Sequence, residues 1–228
     1  MRTWMADGLL VNHNPDLPRD MVRLVRRDAI PAVFVNSKQA TDSVRPDDEG
    51  ASRLATEKLI ALGHRRIAFV DYSNGAESTP AHYCSDDRRS GYLAAMANAG
   101  LRPRFIQAAD YIPRRERVAY TRQWLGRKGR PTAVVAHSYT TAGPVLVAAL
   151  ASGLGIPADL SVATIDDEQS ELTGVALSTM VIPWGEIGRR AVELLVRKIE
   201  RPGKRLKTQV VEMTWLEGET VAPPGAGS

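Results

Sequence analysis

Five short apolar runs in this chain each end on a polar residue whose amide, carboxylate or imidazole group can bind hydroxyls and amines through hydrogen bonds. These residues are Asn12, Asn36, Asp71, His137 and Asp166. The runs contain about four to six mostly β-branched or small apolar residues, which is typical of strands buried on both faces of a parallel sheet. Ligands of open α/β sheets bind beyond the carboxyl ends of the strands. The five residues therefore predict a polar cleft for a small hydrophilic molecule.

Strands and helices alternate along most of the chain, which favours βα units and doubly wound sheets of the α/β class. The predicted strands span residues 8–12, 30–36, 67–70, 105–108, 132–136, 160–165, 177–181 and 209–215. Helical spacing of apolar residues predicts helices over residues 18–28, 47–62, 86–98, 114–125, 140–152 and 183–199. Because the chain opens on a strand pattern, we expect the first strand to lie beside an empty place or a partner.

Length and composition agree with an ordinary soluble α/β protein, since 43% of the 228 residues are hydrophobic and 25% are charged. The single cysteine, Cys84, excludes an intrachain disulfide and favours a reducing, cytoplasmic setting. Residues 1–8 lack the apolar stretch of a secretory signal, and no apolar run is long enough to predict a membrane span. The basic clusters at residues 114–117, 127–130 and 204–207 lack interleaved aromatics and any helix-turn-helix or zinc pattern, so we interpret them as solvated surface.

An enzyme on the same kind of sheet is the alternative from another functional class. The chain contains no nucleophile-elbow, dinucleotide-binding, phosphate-loop or zinc-protease motif. Its histidines, His13, His64, His82 and His137, are scattered without metal-ligand spacing and without a nucleophile at a recognisable interval. We therefore expect no catalytic residue, no metal and no cofactor. Turnover of a bound ligand would reopen this alternative.

Two motifs are specific in combination. They are Gly-His-Arg-Arg-Ile at residues 63–67 and Gly-Leu-Gly-Ile-Pro-Ala-Asp-Leu-Ser-Val at residues 153–162. Further segments accompany them in a consistent order, at residues 7–10, 30–35, 88–92, 131–136, 166–167, 177–179 and 187–188. Together, from about residue 6 to residue 216, these segments resemble the LacI/GalR family of bacterial repressors.

The resemblance implies a periplasmic-binding-protein-like core, in which two doubly wound α/β subdomains with parallel sheets enclose a ligand cleft. Residues 1–46 and 184–206 would form the N-terminal subdomain, and residues 47–183 and 207–218 the C-terminal one. Residues 219–228 are rich in proline and glycine, cannot pack a core and are predicted to be disordered.

The function implied by the resemblance is that of an effector-sensing and dimerisation core of a transcriptional regulator. It would bind a small polar ligand (a sugar, a sugar derivative or a nucleoside) to modulate DNA binding by a homodimer. The family's helix-turn-helix headpiece, hinge helix and first two βα units have no counterpart here. The N-terminal subdomain is therefore expected to be incomplete, and DNA contact to occur only through a headpiece absent from this chain. The alternative is a truncated paralogue or incomplete gene model, acting as a dimer partner or a stand-alone solute-binding protein.

The resemblance also assigns roles to polar residues of the cleft. Arg88 matches a shared ligand anchor whose planar fork can bind hydroxyl pairs, carboxylate or phosphate, and its alternative is a surface ion pair with Asp86 or another nearby acid. Asp166 matches the acidic residue of the cleft, and its alternative is N-capping of the turn that follows it, which Asp167 could equally supply. Asn12 and Asn36 match effector contacts from the N-terminal side, with turn capping as the alternative.

Aromatic positions and departures from the family pattern complete the expected site. Tyr111 matches an aromatic that stacks on the ligand, with core packing as the alternative, and Trp184 matches a further wall position. The chain has His137 and Ser138 where Asn-Asp is common, and Ile182 where a polar residue often precedes the proline. The effector is therefore expected to differ from that of well-studied relatives. A cleft histidine would make binding pH-dependent, whereas a fully hydrogen-bonded one at the strand end would be structural.

Overall fold

The computed structural model describes residues 6–13, 17–72, 82–108, 111–167, 174–201 and 203–225. The strands in these ranges are β1 (Leu9–Asn12), β2 (Ala32–Val35), β3 (Ser43–Pro46), β4 (Ile67–Val70), β5 (Phe105–Ile106), β6 (Ala133–Ala136), β7 (Ser161–Asp166), β8 (Ser178–Val181), β9 (Gln209–Val211) and β10 (Thr214–Leu216). The α-helices are α1 (Arg19–Arg27), α2 (Asp48–Ala61), α3 (Tyr83–Asn98), α4 (Arg117–Leu125), α5 (Tyr139–Leu150) and α6 (Trp184–Glu200). Mostly parallel strands alternate with helices, which confirms the predicted α/β class. None of the helices in these ranges combines the length and hydropathy that a bilayer crossing requires.

The first of two compact units contains residues 1–47 and 183–212. Its sheet has the order β1-β2-β3-β9, and each neighbouring pair is parallel. Helix α1 packs Val22 and Val25 into a cluster with Phe34 of β2. Helix α6 packs against β2 and β3. The parallel arrangement places the carboxyl ends of these strands at one edge and their amino ends at the other.

Strand β1 lies at an edge of this sheet, as expected from the sequence. It is not buried on both faces, contrary to the prediction, because its side chains alternate in exposure and Leu10 is 45% exposed. Among the described strands only β2 pairs with it, and Leu9 and Val11 pack against the cluster of α1, so only one face of β1 is covered.

The second unit contains residues 48–182 and 213–228. Its sheet has the order β10-β8-β7-β6-β4-β5, in which β10 runs antiparallel to β8 and the other described pairs are parallel. All residues of β4 and β6 are buried because helices cover both faces. Val134 joins the cluster on the α5 side, and Val135 joins Tyr92 of α3 on the other side. The prediction of strands buried on both faces is confirmed here.

Helices α2 and α3 pack closely at Gly91, where an added Cβ would overlap the backbone carbonyl of Glu49. Only glycine allows this approach, because every other residue carries the Cβ. The contact brings the first turn of α2 against α3. Arg88 and Asp48 are both buried at this junction. The close packing of α2 and α3 thus brings Arg88 and Asp48 together.

Two parts of the predicted strand pattern are wrong. Strand β3 was not predicted, because Ser43–Pro46 has a single β-branched residue and ends on proline. The predicted strand at residues 209–215 is two strands, since β9 pairs with β3 in the first unit and β10 pairs with β8 in the second. Residues 207–212 therefore belong to the first unit rather than to the second, because the chain passes between the units after residue 212.

The C-terminal segment is ordered on the second unit as far as it is described, so the prediction of disorder is wrong for residues 219–225. Thr220 is buried, donates a hydrogen bond to the Val162 carbonyl at 2.6 Å and accepts one from the Ser178 amide at 3.0 Å. The Ala222 carbonyl accepts a hydrogen bond from His64 Nε2 at 2.9 Å. Low hydrophobicity did not prevent ordering because the segment hydrogen-bonds polar groups that would otherwise lose their partners on burial. Residues 226–228 lie outside the described residues.

Candidate functional site

Polar residues converge at the carboxyl edge of the second unit's sheet. Asp71 and His137 directly follow β4 and β6, and Asp166 is the last residue of β7. These three strands are neighbours in the sheet and run parallel. Adjacent strands lie about 4.8 Å apart, so the three side chains start from neighbouring positions on one edge. The structure thus brings together the residues of this unit that the sequence predicted to share a cleft.

Arg88 reaches this edge from α3 with only 7% of its side chain exposed. Its Nε donates to Asp48 Oδ1 at 2.7 Å. Its Nη1 donates to the Ile165 carbonyl at 3.1 Å and also to the His137 carbonyl. Burial lowers the pKa of Arg88, but the Asp48 carboxylate, together with Cys84 and Asp166, more than compensates, so the pKa is raised and the group stays charged. The alternative of a surface ion pair is wrong, because both members of the pair are buried.

Asp48 is the partner that sequence reasoning missed. It lies within the helix predicted over residues 47–62, and it is the first residue of α2. The side chain is fully buried and accepts from Arg88, while its second oxygen, Oδ2, has no hydrogen-bond partner among the described residues. The positive end of the helix dipole also favours a carboxylate at this position. The pair therefore places a compensated cation beside the ends of β6 and β7.

His137 presents an imidazole with an unpaired nitrogen. Within the described part of the chain its buried Nδ1 has no hydrogen-bond partner, and its Nε2 lies 4.0 Å from Cys84 Sγ. Burial, with the neighbouring charge of Arg88, lowers the pKa of His137 to about 4. The ring is therefore neutral near pH 7. The alternative of a fully hydrogen-bonded histidine does not hold for this geometry.

Asp166 joins the end of β7 to the start of α5. Its Oδ2 accepts a hydrogen bond from the Tyr139 amide at 2.8 Å, and its Oδ1 accepts one from the Asp167 amide at 2.9 Å. Burial raises the pKa of Asp166, while the two amides and Arg88 act in the opposite direction. Tyr139 is the first residue of α5, so this contact caps a helix that precedes Asp166 in the chain, and not the turn after β7 that the alternative named. A carboxylate oxygen accepts more than one hydrogen bond, so the capping role leaves room for a ligand.

The groups at this edge do not form a nucleophilic or metal centre in the described residues. Burial raises the pKa of the Cys84 thiol to about 12, so the thiol stays protonated near neutral pH. No group of three or more His, Cys, Asp or Glu side chains is arranged to hold a metal ion in the ranges that the structure describes. The arrangement is suited to binding by hydrogen bonds.

Tyr111 lies on the surface of the second unit with 44% of the residue exposed, so the alternative of core packing is wrong. The Arg117 guanidinium lies 5.7 Å from the centre of the Tyr111 ring and 5.1 Å from that of Tyr72. Tyr72 follows Asp71, so this cation–π contact relates Tyr111 to the segment after β4. Stacking of Tyr111 on a ligand stays a prediction.

The other predicted residues belong to the first unit. Asn12 and Asn36 stand at the carboxyl ends of the neighbouring strands β1 and β2, and Trp184, 40% exposed, begins α6. Asn36 has a φ of 53°, a left-handed conformation that asparagine tolerates better than most residues, and its amide donates to the Val44 carbonyl at 2.9 Å. This bond comes from the backbone N–H of Asn36, so turn capping by its side chain stays a prediction. Ligand contacts by these three residues stay predictions.

Comparison with known proteins gives the family of this fold. The family described as periplasmic binding protein-like domain matches residues 56–221. The crystal structure of a LacI family transcriptional regulator from Mycobacterium smegmatis is 34% identical, with a TM-score of 0.75 over 97% of this chain and 81% of that chain. The chain belongs to the LacI family. This confirms the resemblance seen in the sequence and the periplasmic-binding-protein-like fold.

Other LacI-family relatives extend the comparison. The ribose operon repressor of Haemophilus influenzae is 33% identical over 74% of this chain and 49% of that protein, so the chain spans about half the length of this curated relative. The LacI family regulator from Enterococcus faecium with bound ribose has a TM-score of 0.77, covering 95% of this chain and 80% of that chain, but at 21% identity it supports the fold alone. These relatives are transcriptional regulators and not enzymes, which confirms the non-enzymatic prediction.

Proposed function

We propose that this chain is the effector-binding core of a LacI-family regulator and that its effector is a small neutral polyhydroxy molecule, a sugar, sugar derivative or nucleoside. The observation that carries the proposal is the buried Arg88, which is held by Asp48 and by the carbonyls of His137 and Ile165 at the carboxyl edge of the sheet. A preorganised guanidinium at this edge is a hydrogen-bond donor at the place where α/β sheets bind ligands.

The charge of the edge favours a neutral ligand. Asp48 already compensates the cation of Arg88, and Asp166 adds a carboxylate at the end of β7. His137 is neutral because its pKa is about 4. An incoming phosphate or carboxylate would meet excess negative charge, whereas hydroxyl groups can donate to the carboxylates and accept from Arg88.

The relatives make a pentose the first candidate. One relative is named a ribose operon repressor, and the Enterococcus faecium structure holds ribose. In this chain Asn12 and Asn36 would supply further amide contacts, with Tyr111 and Trp184 as flat apolar surfaces for a sugar ring. Because His137 and Ser138 stand where the family commonly has Asn-Asp, we expect the effector to differ from that of well-studied relatives.

The regulatory mechanism belongs to the same proposal. Effector binding would shift the population of a cytoplasmic homodimer between states of different DNA affinity, which requires differential binding and no chemistry. DNA contact would come through a headpiece outside this chain.

Isothermal titration with matched neutral and anionic ligands tests the proposal. We expect D-ribose, or another neutral sugar or nucleoside in a small panel, to bind at least about tenfold more tightly than its 5-phosphate, a difference of ~1.4 kcal/mol. Tighter binding of the phosphate would contradict the charge argument. A panel of neutral sugars and nucleosides that gives no heat with folded protein would contradict the effector-binding role itself.

A further inference from the structure

The first unit contains a small cavity far from its predicted effector contacts. The cavity has a volume of about 200 Å³ and lies at the amino ends of β2 and β3, where Ala32, Phe34 and Asp42 line it. Asn12 and Asn36 stand at the carboxyl ends of strands in the same sheet. A strand of four residues spans about 13 Å, so the cavity and the asparagines occupy opposite edges.

The inner wall of the cavity is closed by a completed ion pair. Lys198 Nζ donates to Asp42 Oδ1 at 3.0 Å and to the Lys204 carbonyl at 2.6 Å. Asp42 also accepts the Leu206 amide at 2.9 Å. Both side chains are less than 10% exposed. Lys198 and Asp42 are therefore held in place by each other and by backbone groups.

The mouth of the cavity carries two arginines. Arg26 comes from the last turn of α1 and Arg205 from the segment before β9, and both are exposed. Neither guanidinium forms an ion pair with a described residue. With Lys198 and Asp42 the lining holds three cations and one carboxylate, so its net charge is +2. An anion would be attracted by this net positive charge and could accept charge-assisted hydrogen bonds from the arginines.

The remaining lining is apolar, since Ala32 and Phe34 are buried residues of β2 that face the cavity. Ligand pockets for drug-sized molecules span roughly 300–1,000 Å³, so this cavity suits a smaller molecule. We propose that it is a second ligand site, distinct from the effector site, which binds a small organic anion through Arg26 and Arg205. The ligand would be a carboxylate or phosphate monoester whose apolar body packs on Ala32 and Phe34.

Isothermal titration with three aromatic probes tests this assignment. Phenyl phosphate and benzoate have an anionic group on a phenyl ring, and benzyl alcohol has a neutral hydroxymethyl group on the same ring. We expect saturable binding of at least one anion, with benzyl alcohol at least about tenfold weaker. In Arg26→Gln and Arg205→Gln the affinity for that anion should fall about tenfold each, because each loses one charge-assisted contact. Both residues are exposed, so unchanged thermal melts will confirm that the variants fold.

Arg19→Gln is the matched control, because it removes the same charge from an exposed position at the other end of α1. Its affinity should equal that of the parent chain. An equal loss in Arg19→Gln would overturn the proposal, as it would assign binding to net charge alone. Equal binding of benzyl alcohol, or no binding of either anion, would also overturn it. The proposal would also be overturned if a DNA duplex bound through Arg26 and Arg205 and phenyl phosphate did not displace it. The surface would then be a binding site for nucleic-acid phosphates.

Discussion

In the described residues, each unit contains one buried ion pair between a helix cation and an aspartate, and the two pairs differ in how completely they are hydrogen-bonded. In the first unit Lys198 pairs with Asp42 at 3.0 Å, and in the second Arg88 pairs with Asp48 at 2.7 Å. Asp42 accepts the Leu206 amide on Oδ1 and the Thr41 hydroxyl on Oδ2. Asp48 Oδ2 and the nearby His137 Nδ1 have no partner in the described residues.

This difference separates a structural pair from a functional one. A buried polar group without a partner is costly, so an unpaired group in a native structure needs an explanation, and ligand sites provide a common one. Lys198–Asp42 joins α6 to the loops at the amino edge of its sheet and is complete. Arg88–Asp48 stands at the carboxyl edge, where ligands of such sheets bind. The comparison predicts that both pairs affect stability and that only the second affects effector binding.

The largest effect is expected for Asp48→Ala. Removing this carboxylate leaves Arg88 buried without a compensating charge, which costs about 3–5 kcal/mol of unfolding free energy. Urea denaturation followed by circular dichroism measures the loss. Asp86→Ala on the exposed surface of α3 is the control and should change stability by less than about 0.5 kcal/mol. Equal losses in the two variants would show that the Arg88–Asp48 pair is not buried in solution.

Lys198→Met should destabilise the chain by about 3 kcal/mol, because Asp42 loses its countercharge while methionine retains much of the apolar packing. Its affinity for the effector should stay within twofold of the parent value, since the pair lies at the other edge of the first unit's sheet. The exposed neighbour Arg197→Met is the control for both measurements. A large loss of effector affinity in Lys198→Met alone would contradict the separation of roles.

Arg88→Lys tests the role of the cation in the Arg88–Asp48 pair. Lysine preserves the charge beside Asp48 but lacks the planar fork that bonds the Ile165 and His137 carbonyls. We expect effector affinity to fall about thirtyfold, ~2 kcal/mol, with a smaller loss of stability than in Asp48→Ala. Isothermal titration with the panel ligand that binds the parent chain gives the affinity. Unchanged affinity with lowered stability would reduce Arg88 to a structural residue.

Local patterns in the sequence predicted individual strands well, but they did not predict strands that depend on their pairing partners. Strands β4 and β6 were found because a parallel sheet covered on both faces requires continuous apolar runs. Strand β3 was missed because its pairing with β2 and β9, and not its own composition, makes it a strand. Among the site residues, the strand-end positions of His137 and Asp166 were visible from the same runs.

The Arg88–Asp48 pair was not predictable from spacing. Its members lie 40 residues apart on two helices, and their contact depends on the close approach at Gly91. No helical or strand period relates such positions. The ordered C-terminal segment was missed for a similar reason, because proline and glycine content describes the isolated segment and not the buried groups with which Thr220 and Ala222 bond.

Thr220→Val tests whether those bonds hold the segment. Valine keeps the shape of the side chain but leaves the Ser178 amide and the Val162 carbonyl without the hydroxyl, at a cost of about 1.5 kcal/mol. Thermal and urea unfolding measure the change, and faster proteolysis within residues 217–225 should accompany it. Thr140→Val, at an exposed threonine, is the control. Equal stability of the two variants would mean that the segment is held by other contacts.

The smallest effect concerns pH and returns to the unpaired imidazole of the second unit. The pKa of His137 is about 4 in the folded chain, lowered first by burial and then by Arg88, with His82 adding to the lowering and Asp71 opposing it. In the unfolded chain it is about 6.5, so the unfolded chain takes up the proton first as the pH falls. Stability from the neutral ring is therefore complete above pH 6.5 and is lost between pH 6.5 and 4.

Lowering the pH from 7.5 to 5.5 should then reduce the unfolding free energy by about 1 kcal/mol through His137. His137→Asn removes the titrating ring, and the difference between its pH profile and that of the parent chain isolates this contribution. His64, whose pKa is also lowered by burial, contributes with the same sign in both proteins and cancels. If the pH profiles of the parent chain and His137→Asn were parallel, the His137 ring would be solvated. The unpaired Nδ1 would then give no support to an effector site at this position.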